Sequence, residues 1–295
     1  MPLRMSVVLT LVAARDRTML PDGVIAAVRD AAGGGTVTVL SPAEAVDIAC
    51  AVPPDAASVT AALAGAAIDA LVVPADGRRK RLLVADMDST IVASETLDEL
   101  AAHAGLKPRI AEITRRSMNG EIDFAEALRT RVGLLRGLSL EALEATWRNT
   151  RLTPGARELV ATMRAHGART ALVSGGFTFF TGRVAALCGF DLHHANVLLD
   201  DGRALTGAVA EPILDRDTKL ATLRRLATEQ ALAASATLAV GDGANDLPML
   251  CEAGLGIAFH AKPVVARAAQ HRVEHADLRA ALFAQGYQAA AFLSD

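Results

Sequence analysis

Two groups of carboxylates in this 295-residue chain follow apolar runs closely enough to share one chemical task. Asp86 and Asp88 lie in Asp86-Met87-Asp88-Ser89-Thr90, directly after Leu82-Leu83-Val84-Ala85. Asp242 and Asp246 lie in Gly241-Asp242-Gly243-Ala244-Asn245-Asp246, directly after Thr237-Leu238-Ala239-Val240. Carboxylates crowded together repel, and one keeps its proton unless a cation neutralises them. A hard divalent cation such as Mg2+ takes oxygen ligands and leaves positions for water and phosphate oxygens. One carboxylate of such a group can then act as nucleophile and another as proton donor. Ser174-Gly175-Gly176 follows a third apolar run, Thr170-Ala171-Leu172-Val173. There a hydroxyl and outward backbone N–H groups can hold phosphate oxygens. Lys219 adds a cation for a dianion. Singly, each is also an ordinary feature: a turn, a capping pair, a surface lysine. Together, acids that need a metal and donors that suit a dianion fit phosphoryl transfer.

Three apolar runs that end in polar or glycine residues, with helical stretches between them, predict a parallel α/β sheet. Ligands of such sheets bind at the carboxyl ends of the strands, where these motifs lie. Residues 94–150 read as a helical insertion over that end. Ser94 is expected to cap a helix running to Ala104 and stopping at Gly105. Asp123 with Glu126 forms a capping box for a helix from Phe124. On that helix Phe124, Leu128, Arg131 and Leu135 share a face. An arginine in an apolar stripe needs a partner: a substrate carboxylate, a protein acid or solvent. Glu95, in a first helical turn, also suits the helix dipole. Asn196–Asp215, with Asp201-Gly202 inside it, reads as a hairpin. Lys219 is expected just ahead of a helix over 220–229.

The first 75 residues alternate as strand 6–12, helix 22–32, strands 36–40 and 43–51, helix 56–67 and strand 68–73. This βαββαβ order predicts a small ferredoxin-like domain. Pro74-Ala75-Asp76-Gly77-Arg78-Arg79-Lys80-Arg81 reads as a solvated hinge, dividing the chain into 1–75 and 76–295.

Hydrophobic residues make up 52%, enough for a sizeable core, and exclude wholesale disorder. The formal net charge of -3 carries no basic excess of the kind that marks nucleic-acid binding. No apolar run is long enough for a membrane helix. The opening MPLRMSVVLTLVAARD loosely mimics a secretory signal, but its apolar stretch is short, and a buried strand is expected there. The cysteines, Cys50, Cys188 and Cys251, are odd in number and widely spaced, which fits a reducing cytoplasm. His193-His194 has no third ligand nearby, and Trp147 fits the insertion's own core.

The four motifs, in this order, resemble the haloacid dehalogenase superfamily of aspartate-nucleophile phosphatases. The stretches DMDSTIVASETLDELA, RRSMNGEIDFAEALRTRVGLLRGL, LTPGARELV, ALVSGGFTFF and AVGDGANDLPML are similar, within it, to the bacterial phosphoserine phosphatase family. Met87 stands where many relatives carry phenylalanine. The resemblance implies a Rossmann-like parallel core with a helical cap and, by pattern alone, an ACT-like N-terminal extension. It implies Mg2+-dependent hydrolysis of O-phospho-L-serine, the last step of serine biosynthesis. Asp86 matches the nucleophile and Asp88 the general acid and base. Asp86, the backbone carbonyl of Asp88 and Asp242 match the metal ligands, and Asp246 a supporting acid. Ser174, Gly175 and Lys219 match the phosphate grip, and Asn245 a polar group beside it. Glu95 and Arg131 match the groups that hold the substrate ammonium and carboxylate, with Met118 and Phe124 as apolar walls. Transfer to an alcohol such as homoserine stays open, as does a non-catalytic amino-acid sensor. Serine binding or assembly of a homodimer are the roles open to residues 1–75. No nucleic-acid or membrane partner is expected.

Overall fold

The computed structural model describes residues 6–118, 121–214 and 216–293. The N-terminal part runs β1 (Val7–Ala13), α1 (Asp22–Ala31), β2 (Val37–Ser41), β3 (Ala45–Cys50), α2 (Ala56–Leu63) and β4 (Ile68–Pro74). Its strands form an antiparallel sheet in the order β2-β3-β1-β4, the ferredoxin-like arrangement. Val7–Ala13, within the stretch that mimics a signal sequence, is thus a buried inner strand. Alternation along β1 explains its burial on both faces. Leu9, Leu11 and Ala13 pack with Val28 of α1 and Val59 of α2, while Val12 joins Leu71 and Val73 against the rest of the molecule.

The larger part continues with β5 (Leu82–Ala85), α3 (Thr96–Ala102), α4 (Lys107–Met118), α5 (Phe124–Gly133), α6 (Leu140–Asn149), α7 (Ala156–Ala165), β6 (Arg169–Phe177), α8 (Thr178–Cys188) and β7 (Leu192–Asn196). A hairpin, β8 (Leu198–Asp200) and β9 (Leu205–Val209), precedes α9 (Arg216–Glu229), so Lys219 sits inside the first turns of that helix rather than ahead of it. The chain then forms β10 (Thr237–Gly241), α10 (Leu247–Glu252), β11 (Leu255–Phe259), α11 (Pro263–Ala268), β12 (His271–Val273) and α12 (Ala280–Ala284). The parallel sheet has the order β12-β11-β10-β5-β6-β7. Val84 of β5 pairs with Ala171 on one side and Ala239 on the other. Its neighbours alternate between two cores. Leu82 and Val84 face Leu223, Leu226 and Met249, and Leu83 and Ala85 share a core with Leu159, Phe180 and Val184. Fully apolar strands are what a sheet covered by helices on both faces requires.

Helices α3 to α6 form the insertion. Asp123 caps α5 by accepting from the N–H groups of Ala125 and Glu126. The expected Ser94 cap does not form. Glu95 occupies the cap position of α3, and its side chain is turned away to another partner. The hairpin holds the far corner of the insertion: Gly137 N–H donates to the Leu205 carbonyl and Leu140 N–H to that of Arg203.

Residues 74–81 are only in part solvated: Pro74, Asp76, Gly77, Arg79 and Arg81 are exposed, but Arg78 and Lys80 are anchored. Arg78 donates to both oxygens of Asp47 and to the carbonyls of Phe283 and Ala284. Lys80 is buried, its amine donating to the carbonyls of Gly77 and Ser235. The segment's composition looks solvent-facing because partners such as Asp47, Ser235 and Phe283 are distant in sequence. Asp69 completes the attachment by accepting N–H groups from Glu274, His275 and Ala276.

Arg78 and Asp47 are each only 12% exposed in their side chains. Arg78→Ala strands a buried carboxylate, so urea unfolding is expected to show a loss of about 3–5 kcal/mol, with Arg78→Lys recovering only part. A loss below about 1 kcal/mol would mean that the ion pair is not what fastens the two sheets.

Candidate active site

Asp86 and Asp242 come side by side because β5 and β10 are parallel neighbours in register, Ala85 opposite Val240. The Asp86 N–H extends the ladder by donating to the Val240 carbonyl, 3.0 Å. Asp246 enters from the start of α10, where its carboxylate accepts the Gly243 N–H. One oxygen from each of Asp86, Asp242 and Asp246 lies within 4.8 Å of the others. Lys219 reaches in from α9, its amine 2.7 Å from Asp86 and 2.6 Å from Asp246. All four side chains are buried.

This crowding sets their protonation. Burial, with the charges of Asp246 and Asp242, pushes the Asp86 carboxyl well above its ordinary value against the pull of Lys219. Burial also raises Asp242 to about 6, although Lys262 opposes the shift. Burial alone would favour the neutral amine of Lys219, but the charges of Asp246 and Asp86 prevail and hold it protonated. Three buried carboxylates around one lysine form an all-oxygen donor set short of positive charge, a set that suits a hard divalent cation such as Mg2+.

Asp88 stands across the loop. Its carboxylate accepts the Thr96 N–H, 2.9 Å, at the first residue of α3. Ser174 Oγ lies 3.4 Å from its other oxygen. Burial and the charge of Glu95 raise the Asp88 carboxyl to about 7, so it can carry a proton near neutrality and give it up. Two glycines let the β6 end approach. A Cβ on Gly176 would come 2.8 Å from an Asp88 oxygen, and one on Gly175 3.2 Å from the Phe124 ring.

Above this floor opens a cleft of about 590 Å³. Asp86, Asp88, Glu95, Phe124, Arg131, Ser174, Gly175, Asp242 and Asn245 all line it, and Lys219 and Asp246 lie at its base. The roof carries opposite charges on separate helices. Glu95 accepts a hydrogen bond from Ser89 Oγ, 2.8 Å. Ser89 holds the left-handed φ of 57°, a conformation that costs a non-glycine residue roughly 1 kcal/mol or more. Among the described residues no carboxylate forms an ion pair with Arg131, which is half-buried. The Met118 side chain lies outside the described residues.

Lys262 was missed by the sequence reading. Its amine is 3.8 Å from Asp242, and it lines the cleft from the start of α11. The signal was available: Leu255-Gly256-Ile257-Ala258-Phe259 is a further apolar run, and its carboxyl end points to residues 260–262. His193 and His194 lie exposed on the edge strand β7, and Cys50 and Cys188 are buried free thiols.

Residues 83–251 match the haloacid dehalogenase-like hydrolase family. The chain is 45% identical over 222 residues to phosphoserine phosphatase of Streptomyces coelicolor, covering 74% of this chain and 54% of that one. A solved structure described as a phospho-aspartyl intermediate analogue of phosphoserine phosphatase superposes with a TM-score of 0.65 at 38% identity, over 70% of this chain and 98% of that one. The chain belongs to the phosphoserine phosphatase family of haloacid dehalogenase-like hydrolases. The family likeness reaches beyond the catalytic part. The unliganded structure of a probable phosphoserine phosphatase from Vibrio cholerae matches with a TM-score of 0.78 at 30% identity, over 98% of this chain and 88% of that one. The chain spans about half the length of the Streptomyces relative.

Asp88 and Asp242 hold their protons to higher pH in the folded state than at the ordinary carboxyl value of 3.8. The folded chain then binds more protons than the unfolded one, and its stability falls as pH rises from about 4 toward 7. Denaturation of metal-free protein at pH 5 and pH 7.5 is expected to show this loss, and Asp88→Asn with Asp242→Asn to flatten it. Mg2+ is expected to raise the unfolding midpoint of the unaltered chain, more at pH 7.5 than at pH 5, and to leave Asp242→Asn almost unmoved. Equal midpoints with and without the ion would refute a cation site at these acids.

Proposed function

We propose that this chain hydrolyses O-phospho-L-serine to L-serine and phosphate through an aspartyl-phosphate on Asp86. The observation that carries this reading is the roof of the cleft: Glu95 and an Arg131 without an ion pair stand opposite a floor of paired carboxylates. A small zwitterion bearing a phosphate matches that arrangement. Its ammonium suits Glu95 and its carboxylate suits the guanidinium of Arg131. Its phosphate suits Ser174, the amide of Gly175 and Lys219.

Residues 1–75 are then a ferredoxin-like domain and residues 76–295 the phosphatase domain, capped by about 94–150. Asp86, Asp242 and the Asp88 backbone carbonyl would hold Mg2+, with Asp246 behind them fixing Lys219. The bound ion supplies charge neutralisation that lets an anionic carboxylate approach a phosphate. An Asp86 oxygen attacks phosphorus in line and the phosphorus–serine oxygen bond breaks. Asp88 gives its proton to the departing oxygen, the role its raised pKa suits. Water then loses a proton to Asp88 and attacks phosphorus, breaking the bond to Asp86 and releasing phosphate. Phe124 and the insertion exclude bulk water and orient the amino-acid end.

Purified protein is expected to release phosphate from O-phospho-L-serine with Mg2+ and to stop with chelator. Asp86→Asn should bring turnover to background while the unfolding transition persists. Asp88→Asn should slow it by about 10²–10⁴. Near-normal turnover by Asp86→Asn removes the nucleophile assignment. Phosphohomoserine formed on adding homoserine would make an alcohol the acceptor, and no phosphate release from any small phosphomonoester would favour an amino-acid sensor.

A further inference from the structure

An arginine that recognises a carboxylate must hold its plane before the ligand arrives, because a mobile fork loses affinity to ordering. On α5 the Arg131 Nε–H donates to the Ala127 carbonyl, 3.3 Å, one turn back on its own helix. Its Nη1 donates to Thr114 Oγ1 on α4, 3.1 Å. The Thr114 hydroxyl spends its own hydrogen on the Ile110 carbonyl, 3.0 Å, so a lone pair is left to face Arg131. Both side chains line the cleft. A guanidinium has five N–H groups. With two taken, three remain for a ligand, both of Nη2 among them. The acceptor is neutral. A carboxylate in the place of Thr114 would hold the fork equally well but would cancel the charge that a substrate carboxylate needs. Asp98 and Glu95 attract Arg131 from a distance without pairing to it.

We propose that Thr114 is a positioning residue for amino-acid selectivity: its hydroxyl fixes the Arg131 fork from the neighbouring helix and leaves the positive charge unspent. The inference rests on Arg131 binding the substrate carboxylate. Thr114 itself touches no reacting atom. Its contribution falls on the binding of carboxylate-bearing phosphomonoesters, not on the chemical step.

The test is steady-state kinetics of the full chain with Mg2+, using O-phospho-L-serine as substrate and O-phosphoethanolamine as competitive inhibitor. The second compound keeps the phosphate and ammonium and lacks the carboxylate. Thr114→Val keeps the β-branched shape on the helix and removes the hydroxyl. It is expected to raise KM for phosphoserine about tenfold, in the range of losing one hydrogen bond to a charged group. It should leave kcat within twofold and the inhibition constant of phosphoethanolamine unchanged. Thr114→Ser should restore KM, and its recovery separates loss of the hydroxyl from disturbance of the helix. Arg131→Met should raise KM further, again without touching phosphoethanolamine. An unchanged KM in Thr114→Val, equal weakening of both ligands, or failure of Thr114→Ser to restore KM would each overturn the inference. If Arg131→Met leaves phosphoserine kinetics intact, the carboxylate assignment beneath it falls instead. If Arg131→Met acts and Thr114→Val does not, the Arg131 reading survives and the role of Thr114 is disproved.

Discussion

The site is governed by the repulsion among Asp86, Asp242 and Asp246, buried together at the carboxyl ends of parallel strands. Burial denies them the screening of water, and the charges of their neighbours add to the cost of ionising Asp86 and Asp242. Lys219, bonded to two of the three, offsets part of that cost. The remainder is a surplus of negative charge, which suits a divalent cation among the carboxylates. Much of the surrounding architecture is needed to hold like charges at this separation. In-register pairing of β5 with β10 supplies the spacing, and the start of α10 supplies the third acid.

The roof above this charge cluster belongs to a different part of the chain. Helices α3 to α5 bring Glu95 and Arg131 over the floor, and each is steadied by a hydroxyl: Ser89 for Glu95 and Thr114 for Arg131. The hairpin β8–β9 ties the opposite corner of the insertion to the core through backbone hydrogen bonds. The acid cluster of the floor and the opposed charges of the roof are thus carried by separate elements.

Much of this was legible in the sequence, because its signals were local. Apolar runs ending in Asp86, Ser174 and Asp242 placed the strands and their active ends. The N-terminal alternation placed the ferredoxin-like sheet, Asp123 its helix start and Asp201-Gly202 the hairpin. What escaped was set by distant partners. Arg78 and Lys80 looked solvated because Asp47, Phe283 and Ser235 were not near them in sequence. Ser94 looked like the better cap because nothing nearby showed that Glu95 would take the position and turn to Ser89. Lys262 was marked only by the apolar run 255–259 ahead of it, and Thr114 carried no spacing signal of its own, so that only folding shows what it faces.

The two glycines at the end of β6 have a consequence for how this protein could change over generations. Any side chain at Gly176 would strike Asp88, and one at Gly175 would press on Phe124. These two positions therefore resist substitution. Change in what the cleft recognises is least obstructed in the roof, at positions such as Thr114 and Arg131, whereas Glu95 also acts on the floor through its charge on Asp88. Lineages that descend from this chain would diversify in what they recognise long before they diversify in what they do.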